Sequence, residues 1–376
     1  MRIKYLIIFM CLFLVGCNKN QTFEKYEFSL INDTSIGTED PDGYYYTKEG
    51  LLYYYDFDSK KSVVVCNKPG CDHAPYSSST DEDKLCHAAI DYNSFLVVNN
   101  DYIYVIEPDT SSGLNHESVI VKSKKDRTDR KEVAKFKGNV YNVIAQVYES
   151  IYFTAGEPEM ESESDGSSTM TQRNTSYIYE YNLNEDRLKT IDHTELMYSV
   201  DDTIIGKVDD GILVRRTYQK EKVEDGDYTK NLEQEILVIK DEEVIKKDIQ
   251  LSGVGLNVKT IDNSIYIVVE SDNTEGLYDI QRYENDAWSE VDTKVSNVNF
   301  IDDGFLYSKD DKYYFYSNSE KSISEIKKPA RESFVYNSVR DFYVVVAQDN
   351  DGYSLALINK NDYVNGIDKY IFLGDN

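Results

Sequence analysis

Residues 301–326 read IDDGFLYSKDDKYYFYSNSEKSISEI, and the punctuation of this stretch decides the architecture. Asp302-Asp303-Gly304 opens with a turn, Phe305 to Ser308 is a strand, and Lys309 to Lys312 is a tight hairpin. Tyr313 to Tyr316 is a second strand, Ser317 to Lys321 a polar turn, and Ser322 to Ile326 a third strand. Aromatic and aliphatic runs bounded by Gly, Asp and Asn read as short antiparallel strands, because those turn residues tolerate the backbone a hairpin needs.

The same unit recurs six more times. The first copy has Asp42 to Tyr46, Leu51 to Tyr55 and Val63 to Val65; the second has Asn100 to Val105, Val119 to Val121 and Val133 to Phe136. The third has Ser150 to Phe153, Tyr177 to Tyr181 and Leu188 to Ile191; the fourth has Asp210 to Val214, Ile236 to Ile239 and Val244 to Ile249. The fifth has Asn263 to Val268, Tyr278 to Tyr283 and Trp288 to Val291; the seventh has Asp341 to Val345, Leu355 to Ile358 and Lys369 to Leu373. Repeats spaced by roughly 40–60 residues that bury their faces only against neighbours predict an all-β fold, a β-propeller of seven blades, with six and eight as competing counts. Asn142 to Ile144, Tyr198 to Val200, Val258 to Ile261 and Val298 to Phe300 lie between copies and are expected to line the axis. The lone segment Lys25 to Leu30 (KYEFSL) is expected to seal the ring by pairing beside Lys369 to Leu373 in the last blade.

Composition agrees with this reading. The 376 residues include 33 Tyr and 14 Phe, which favour strands. A net charge of −27 repels any phosphate backbone and excludes nucleic acid as a partner, whereas a basic protein or peptide is attracted.

The N-terminus is an address. Arg2 and Lys4, the apolar run from Tyr5 to Val15 and then Gly16-Cys17 have the order of an export signal, so 1–16 is expected to be a signal peptide. Leu14-Val15-Gly16-Cys17 resembles the lipobox of bacterial lipoproteins, which makes Cys17 the expected lipidation site and 17–24 a lipidated tether. Several acyl chains on one residue give a stable anchor, so the domain 25–376 is expected on the outer face of the cytoplasmic membrane.

Three of the remaining cysteines and two of the four histidines cluster in one insertion, 66–87, as Cys66-Asn67-Lys68-Pro69-Gly70-Cys71-Asp72-His73 followed by Cys86-His87-Ala88. Thiolates with an imidazole are the tetrahedral donor set of zinc, and Pro69-Gly70 supplies a turn that folds Cys71 back toward Cys66. The expected ligands of a structural zinc are Cys66, Cys71, His73 and Cys86, with His87 as alternate. A Cys71–Cys86 or Cys66–Cys86 disulfide with one thiol left over is the competing reading, since an exported domain permits it.

The lipobox, the Tyr-rich repeats and this Cys segment together resemble a family of propeller-like lipoproteins of Gram-positive bacteria. The resemblance implies a fold and a location, and no activity.

Nothing else has the form of a catalytic motif. There is no nucleophile elbow, phosphate-cradling loop or zinc-protease helix. His116 and His193 lie in polar segments without a partner motif. Asp201-Asp202, Asp209-Asp210, Asp302-Asp303 and Asp310-Asp311 have the residue type of a glycosidase pair, yet they fall at turns and strand starts, where Asp accepts backbone hydrogen bonds. Asp349 to Gly352 lacks the further acidic ligands of a calcium loop and reads as a turn. The polar stretch 156–175 is expected to be a mobile loop. The function expected is therefore that of a binding or scaffold lipoprotein presenting a propeller surface to a protein or peptide. The alternative is a carbohydrate-binding or carbohydrate-cleaving propeller, using tyrosines beside carboxylates.

Overall fold

The computed structural model describes residues 28–374, except 32–35, 76–84, 92–93, 100, 109–116, 163–167, 210, 224–230, 250, 252–254, 272–273, 275, 302–303 and 351. The expected signal, lipidation site and tether therefore lie outside the described residues. Among the described residues no helix is long and apolar enough to cross a membrane.

The strands form seven four-stranded antiparallel units in chain order. The first blade runs from Thr38–Asp40 to Lys61–Val64 and the second from Phe95–Val98 to Lys131–Lys137. The third runs from Ile144–Val147 to Arg187–His193 and the fourth from Met197–Val208 to Glu243–Lys247. The fifth starts at Gly255–Ile261, the sixth ends at Ser322–Ile326, and the seventh runs from Ser333–Val339 to Ile371–Phe372. The long strand Ala287–Ile301 serves two blades. Its first part pairs with Tyr278–Glu284 as the outer strand of the fifth, and from Ser296 it pairs with Gly304–Lys309 as the inner strand of the sixth.

Burial explains why the pattern was readable. Blades pack face to face, so strands near the axis are covered on both sides and read as continuous apolar runs. Ser264–Glu270 is buried from Ser264 to Val269, and Gly304–Lys309 from Gly304 to Ser308. Outer strands such as Ser322–Ile326 and Glu243–Lys247 are mostly exposed.

Seven hydrophobic clusters fill seven inter-blade interfaces. Leu52, Leu96 and Val105 join the first and second blades, Phe136, Phe153 and Tyr179 the second and third, and Ile178, Ile204 and Leu237 the third and fourth. Leu213, Val238 and Ile267 join the fourth and fifth, Tyr266, Phe305 and Tyr316 the fifth and sixth, and Leu306, Val345 and Ile358 the sixth and seventh. The ring closes through Tyr44, Tyr46, Val344, Leu357 and Leu373 between the seventh blade and the first.

The turns account for several acidic pairs. Asp310-Asp311 and Asn285-Asp286 have positive φ at both residues (50° and 61°, 52° and 60°), the backbone of a two-residue hairpin turn that matches strand twist. The repeat glycine has a steric reason as well: a Cβ on Gly304 would stand 1.8 Å from the Tyr316 carbonyl oxygen.

Two expectations are corrected. The N-terminal segment does not pair in the last blade. Ser29–Ile31 pairs with Ile144–Val147, adding a strand at the inner edge of the third blade, where Leu30 and Ile31 pack against the third blade's clusters. The seventh blade has Ile371–Phe372 as its fourth strand, and among the described residues no strand crosses between the two ends of the chain. The stretch 156–175 is not a loop but the far half of a long hairpin, paired from Gly156↔Ser176 to Ser162↔Ser168. It carries no apolar alternation because polar contacts join it to the fourth blade, with Arg173↔Tyr198 and Asn174↔Met197 paired and Gln172 Nε2 donating to the Val223 carbonyl at 2.9 Å, rather than a continuous apolar face. Cross-strand polar bonds such as Thr171 Oγ1 to Glu159 Oε2 (3.0 Å) take its place.

Candidate metal centre

The insertion follows the outer strand of the first blade and returns at the interface with the second. Cys66 leaves directly after Val65, whose N–H bonds the Leu52 carbonyl at 2.9 Å. The returning segment Cys86-His87-Ala88-Ala89 lies against Leu51 and Leu52: Leu52 N–H donates to the Ala88 carbonyl at 2.7 Å and Leu51 bridges Ala89. Cys86, Ala88 and Ile90 are buried in the core shared by these two blades.

Between these two anchors the chain turns at Gly70 (φ 68°), and Cys71 N–H bonds the Lys68 carbonyl at 3.2 Å. His73 adopts φ 54°, which turns its ring back toward the cysteines, and its Nδ1 stands 3.5 Å from Cys86 Sγ. The three sulfurs and one imidazole nitrogen of Cys66, Cys71, His73 and Cys86 all lie within 4.8 Å of one another. Tetrahedral coordination at bond lengths of about 2.0–2.3 Å places donors about 3.5–3.8 Å apart, so the cluster has the size of a single ion's shell. Cys66, Cys71 and Cys86 are free thiols.

Backbone donors are aimed at the sulfurs. Lys68 N–H donates to Cys66 Sγ and Ala88 N–H to Cys86 Sγ, each at 3.4 Å and each from two residues downstream. Such donors favour the thiolate, the form that binds metal. At Cys66 burial works against ionisation, but the N–H groups of Lys68 and His87 with the neighbouring thiols outweigh it and hold its pKa below the ordinary value. At Cys86 burial dominates and pushes the thiol up to about 12. A cation at the centre of the cluster removes that penalty, because it offsets the charge that burial opposes.

The insertion is pinned from the second blade. Arg127, 3% exposed and at φ 63°, donates Nε–H to the His87 carbonyl at 3.2 Å. Burial lowers its pKa to about 10, so the guanidinium stays charged at neutral pH. Lys68 Nζ donates to the Leu85 carbonyl at 3.2 Å, and Asn67 Nδ2 to Asp126 at 2.9 Å. His87, the alternate ligand, stays outside the cluster, and its Nδ1 is buried without a hydrogen-bond partner among the described residues.

The other expected candidates are not assembled into a reaction centre among the described residues. Asp202 is 1% exposed and gripped by Arg216 through Nε (2.7 Å) and Nη2 (2.9 Å), with Ser176 Oγ donating at 2.9 Å. His193 stacks on Tyr177, ring centroids 6.0 Å apart. His116 and Asp302-Asp303 lie outside the described residues, and Asp349↔Gly352 closes a hairpin.

No protein-family model matches the chain, and no curated protein does. Among solved structures it is similar to the β-propeller domain of the Trilobed protease from Pyrococcus furiosus, with TM-score 0.52 and 12% identity over 92% of this chain and 98% of that domain. That domain is described as having an open velcro topology. The uncomplexed Pyrococcus horikoshii acylaminoacyl peptidase is similar at TM-score 0.49 and 13% identity over 89% of this chain, and Porphyromonas gingivalis dipeptidyl peptidase 4 at TM-score 0.44 and 10% identity over 91%. The chain spans 45% and 52% of the two Pyrococcus horikoshii acylaminoacyl peptidase structures and 58% of the Porphyromonas gingivalis enzyme. The likeness establishes the propeller fold.

Proposed function

We propose that this chain is a binding propeller, lipid-anchored through Cys17 on the outer face of the cytoplasmic membrane, that presents its surface to a cationic protein or peptide segment. The observation that carries the reading is a groove of about 550 Å³ between the sixth and seventh blades. Tyr313, Tyr314, Phe334 and Tyr363 supply its aromatic walls, and Glu332 and Asp349 stand in its lining. Phe334, Tyr336 and Tyr353 are 42%, 46% and 51% exposed on the seventh blade, rings that the fold does not need to leave in water. Aromatic faces beside carboxylates attract Lys and Arg side chains, and a chain of charge −27 steers such partners from a distance. Two cations, Lys328 and Arg331, also line the groove, and Arg331 is engaged by both oxygens of Asp368 at 2.7 and 3.1 Å.

The cysteine centre serves this function as a clamp. With four protein donors it keeps no open position for a substrate, so zinc there would hold the insertion rather than perform chemistry.

The test uses a fluorescent Lys/Arg-rich peptide and its Glu-substituted counterpart, followed by anisotropy against the full chain. Binding of the basic peptide alone is expected. It should weaken by about tenfold or more between low and high salt, and Phe334→Ala or Tyr314→Ala should weaken it comparably. Salt-insensitive binding of neutral glycans abolished by those same variants would replace this reading with a carbohydrate-binding one. Loss of labelled fatty acid from Cys17→Ser, with release from the membrane fraction, tests the anchor.

A further inference from the structure

The inner strands of the second to fifth blades enclose a second cavity, of about 340 Å³, on the axial side of the ring. Its polar lining includes Asn142, Asp201, Thr203, Arg215, Asn257 and Lys259. Two of these groups are cations, in a chain whose surface is overwhelmingly acidic.

The carboxylate present is already occupied. Asp201 Oδ1 accepts from Asn142 Nδ2 at 2.9 Å and Oδ2 from Thr203 Oγ1 at 2.9 Å, and its remaining influence falls on Arg215. Lys259 is in a different position. Half-buried in the cavity wall, its ammonium has no hydrogen bond or ion pair among the described residues, and burial lowers its pKa. A partly desolvated ammonium without a counter-charge is unfavourable, and in a cleft it is relieved by a ligand that supplies the charge.

The lysine is also held firmly. Its neighbour Thr260 accepts from Lys207 N–H at 2.8 Å through Oγ1, tying the inner strands of the fourth and fifth blades together. Those strands approach so closely that a Cβ on Gly206 (φ 142°) would stand 1.7 Å from Thr260 Oγ1. The ammonium is thus mounted on a locked strand that lines a cavity whose other polar groups are amides, a hydroxyl, a guanidinium and the hydrogen-bonded carboxylate of Asp201.

We propose that this axial cavity is a binding site for a small anion carrying a carboxylate or phosphate group, with Lys259 as its charge partner and Arg215 and Asn257 as further donors, the Asn142 amide being used up by Asp201 and the Asp202 carbonyl. Its volume falls at the lower end of small-molecule sites, which suits a metabolite-sized ligand and not a polymer. The site is independent of the groove between the sixth and seventh blades, so either can fail without the other.

The full chain is titrated calorimetrically with inorganic phosphate, acetate and citrate in turn, and its thermal midpoint is followed with each. At least one anion is expected to bind with a Kd at or below about 1 mM and to raise the midpoint. Phosphate alone responding would assign a phosphoryl ligand, and a carboxylate alone a carboxylic acid. Lys259→Met is expected to weaken binding by about tenfold or more, and Lys259→Arg to keep most of it, the span a charge-assisted hydrogen bond covers. In ligand-free protein Lys259→Met should raise the midpoint, since it removes an uncompensated charge. The proposal is overturned if no anion binds, if Lys259→Met binds as the unaltered chain does, or if that variant lowers the ligand-free midpoint. The last result would mean that a carboxylate of the chain itself partners the lysine.

Discussion

Stripping metal from the cysteine centre should loosen the insertion without unfolding the ring, and the size of the effect follows from the loop the centre closes. Cys66 and Cys86 are anchored separately, one after the outer strand of the first blade and one in the core between the first and second blades. A cross-link through the metal closes a loop of roughly 20 residues, which in the chain-entropy model is worth about 3 kcal/mol. For a fold of about 350 residues, an unfolding entropy of about 2.1 cal/mol/K per residue converts that into a midpoint shift of about 4–5 °C. The assay is calorimetry of zinc-loaded and chelator-treated protein, with Co²⁺ replacing Zn²⁺ so that thiolate-to-metal absorption reports the donors. About one metal per chain, the absorption of a thiolate-rich tetrahedral site and its loss in Cys86→Ser are expected. His73→Ala should weaken binding, whereas His87→Ala should not, because only the His73 ring is within reach. A metal-free protein with one free thiol out of three would refute the reasoning and establish a disulfide.

The remaining predictions concern the propeller itself. Tyr44, Tyr181, Tyr266 and Tyr307 are at most 2% exposed, and burial pushes their hydroxyls far above the ordinary value. An acid whose pKa is raised by folding contributes stability that is intact below about pH 10 and lost above it. Four such groups remove about 5 kcal/mol per pH unit, and the share of the tyrosinate absorbance that these four contribute should appear together with unfolding between about pH 10.5 and 12. Asp202→Ala removes two charge-assisted bonds and leaves the Arg216 guanidinium with Asp192 at 3.1 Å, and should cost about 1.5–3 kcal/mol in denaturant unfolding, whereas Asp310→Gly, in an exposed turn of positive φ, should change stability by less than about 1 kcal/mol. Leu357→Ala, fully buried between the seventh and first blades, should cost about 2–5 kcal/mol and speed hydrogen exchange in Gly43–Lys48. Leu237→Ala in the third interface from the N-terminus should cost a comparable amount and leave that exchange unchanged.

The repeat was legible because a blade buries both faces near the axis, so its second strand cannot avoid an apolar run and its turns cannot avoid Gly, Asn or Asp. The cysteine cluster and the preference for His73 over His87 were legible from spacing, His73 standing two residues after Cys71, whereas the positive φ at which His73 joins the cluster was not. Ring closure was misread at Lys25 to Leu30. A short apolar segment suits any free strand edge, and nothing in its own residues distinguishes the third blade from the seventh. The hairpin across 156–175 was hidden for a different reason, because strands held to their neighbours by polar side chains and backbone pairing need no apolar alternation. Lys259 and Arg215 were missed because a cation in a strand ordinarily marks the solvent side, and the axis of a propeller is the exception.

The open seam gives the cysteine centre a structural logic. The first blade has the shortest inner strand among its neighbours, Thr38–Asp40, and among the described residues it meets the seventh without strand pairing, with Phe57 stacked on Phe342 at 6.2 Å and Lys48 bonding the Gly374 carbonyl at 3.1 Å. A blade without a strand from the other end of the chain is the place where a propeller would part first. The insertion compensates on the blade's opposite side: its returning segment adds hydrogen bonds to Gly50 and Leu52, its apolar residues fill the interface with the second blade, and Arg127 reaches across to hold it. A metal joining Cys66 to Cys86 would then fasten the first blade to the second, so that the blade beside the seam is released only if both contacts are lost. Losing the clamp and weakening the seam, as in Cys86→Ser combined with Leu357→Ala, should accordingly cost more than the sum of the separate changes, while Cys86→Ser combined with Leu237→Ala should be additive.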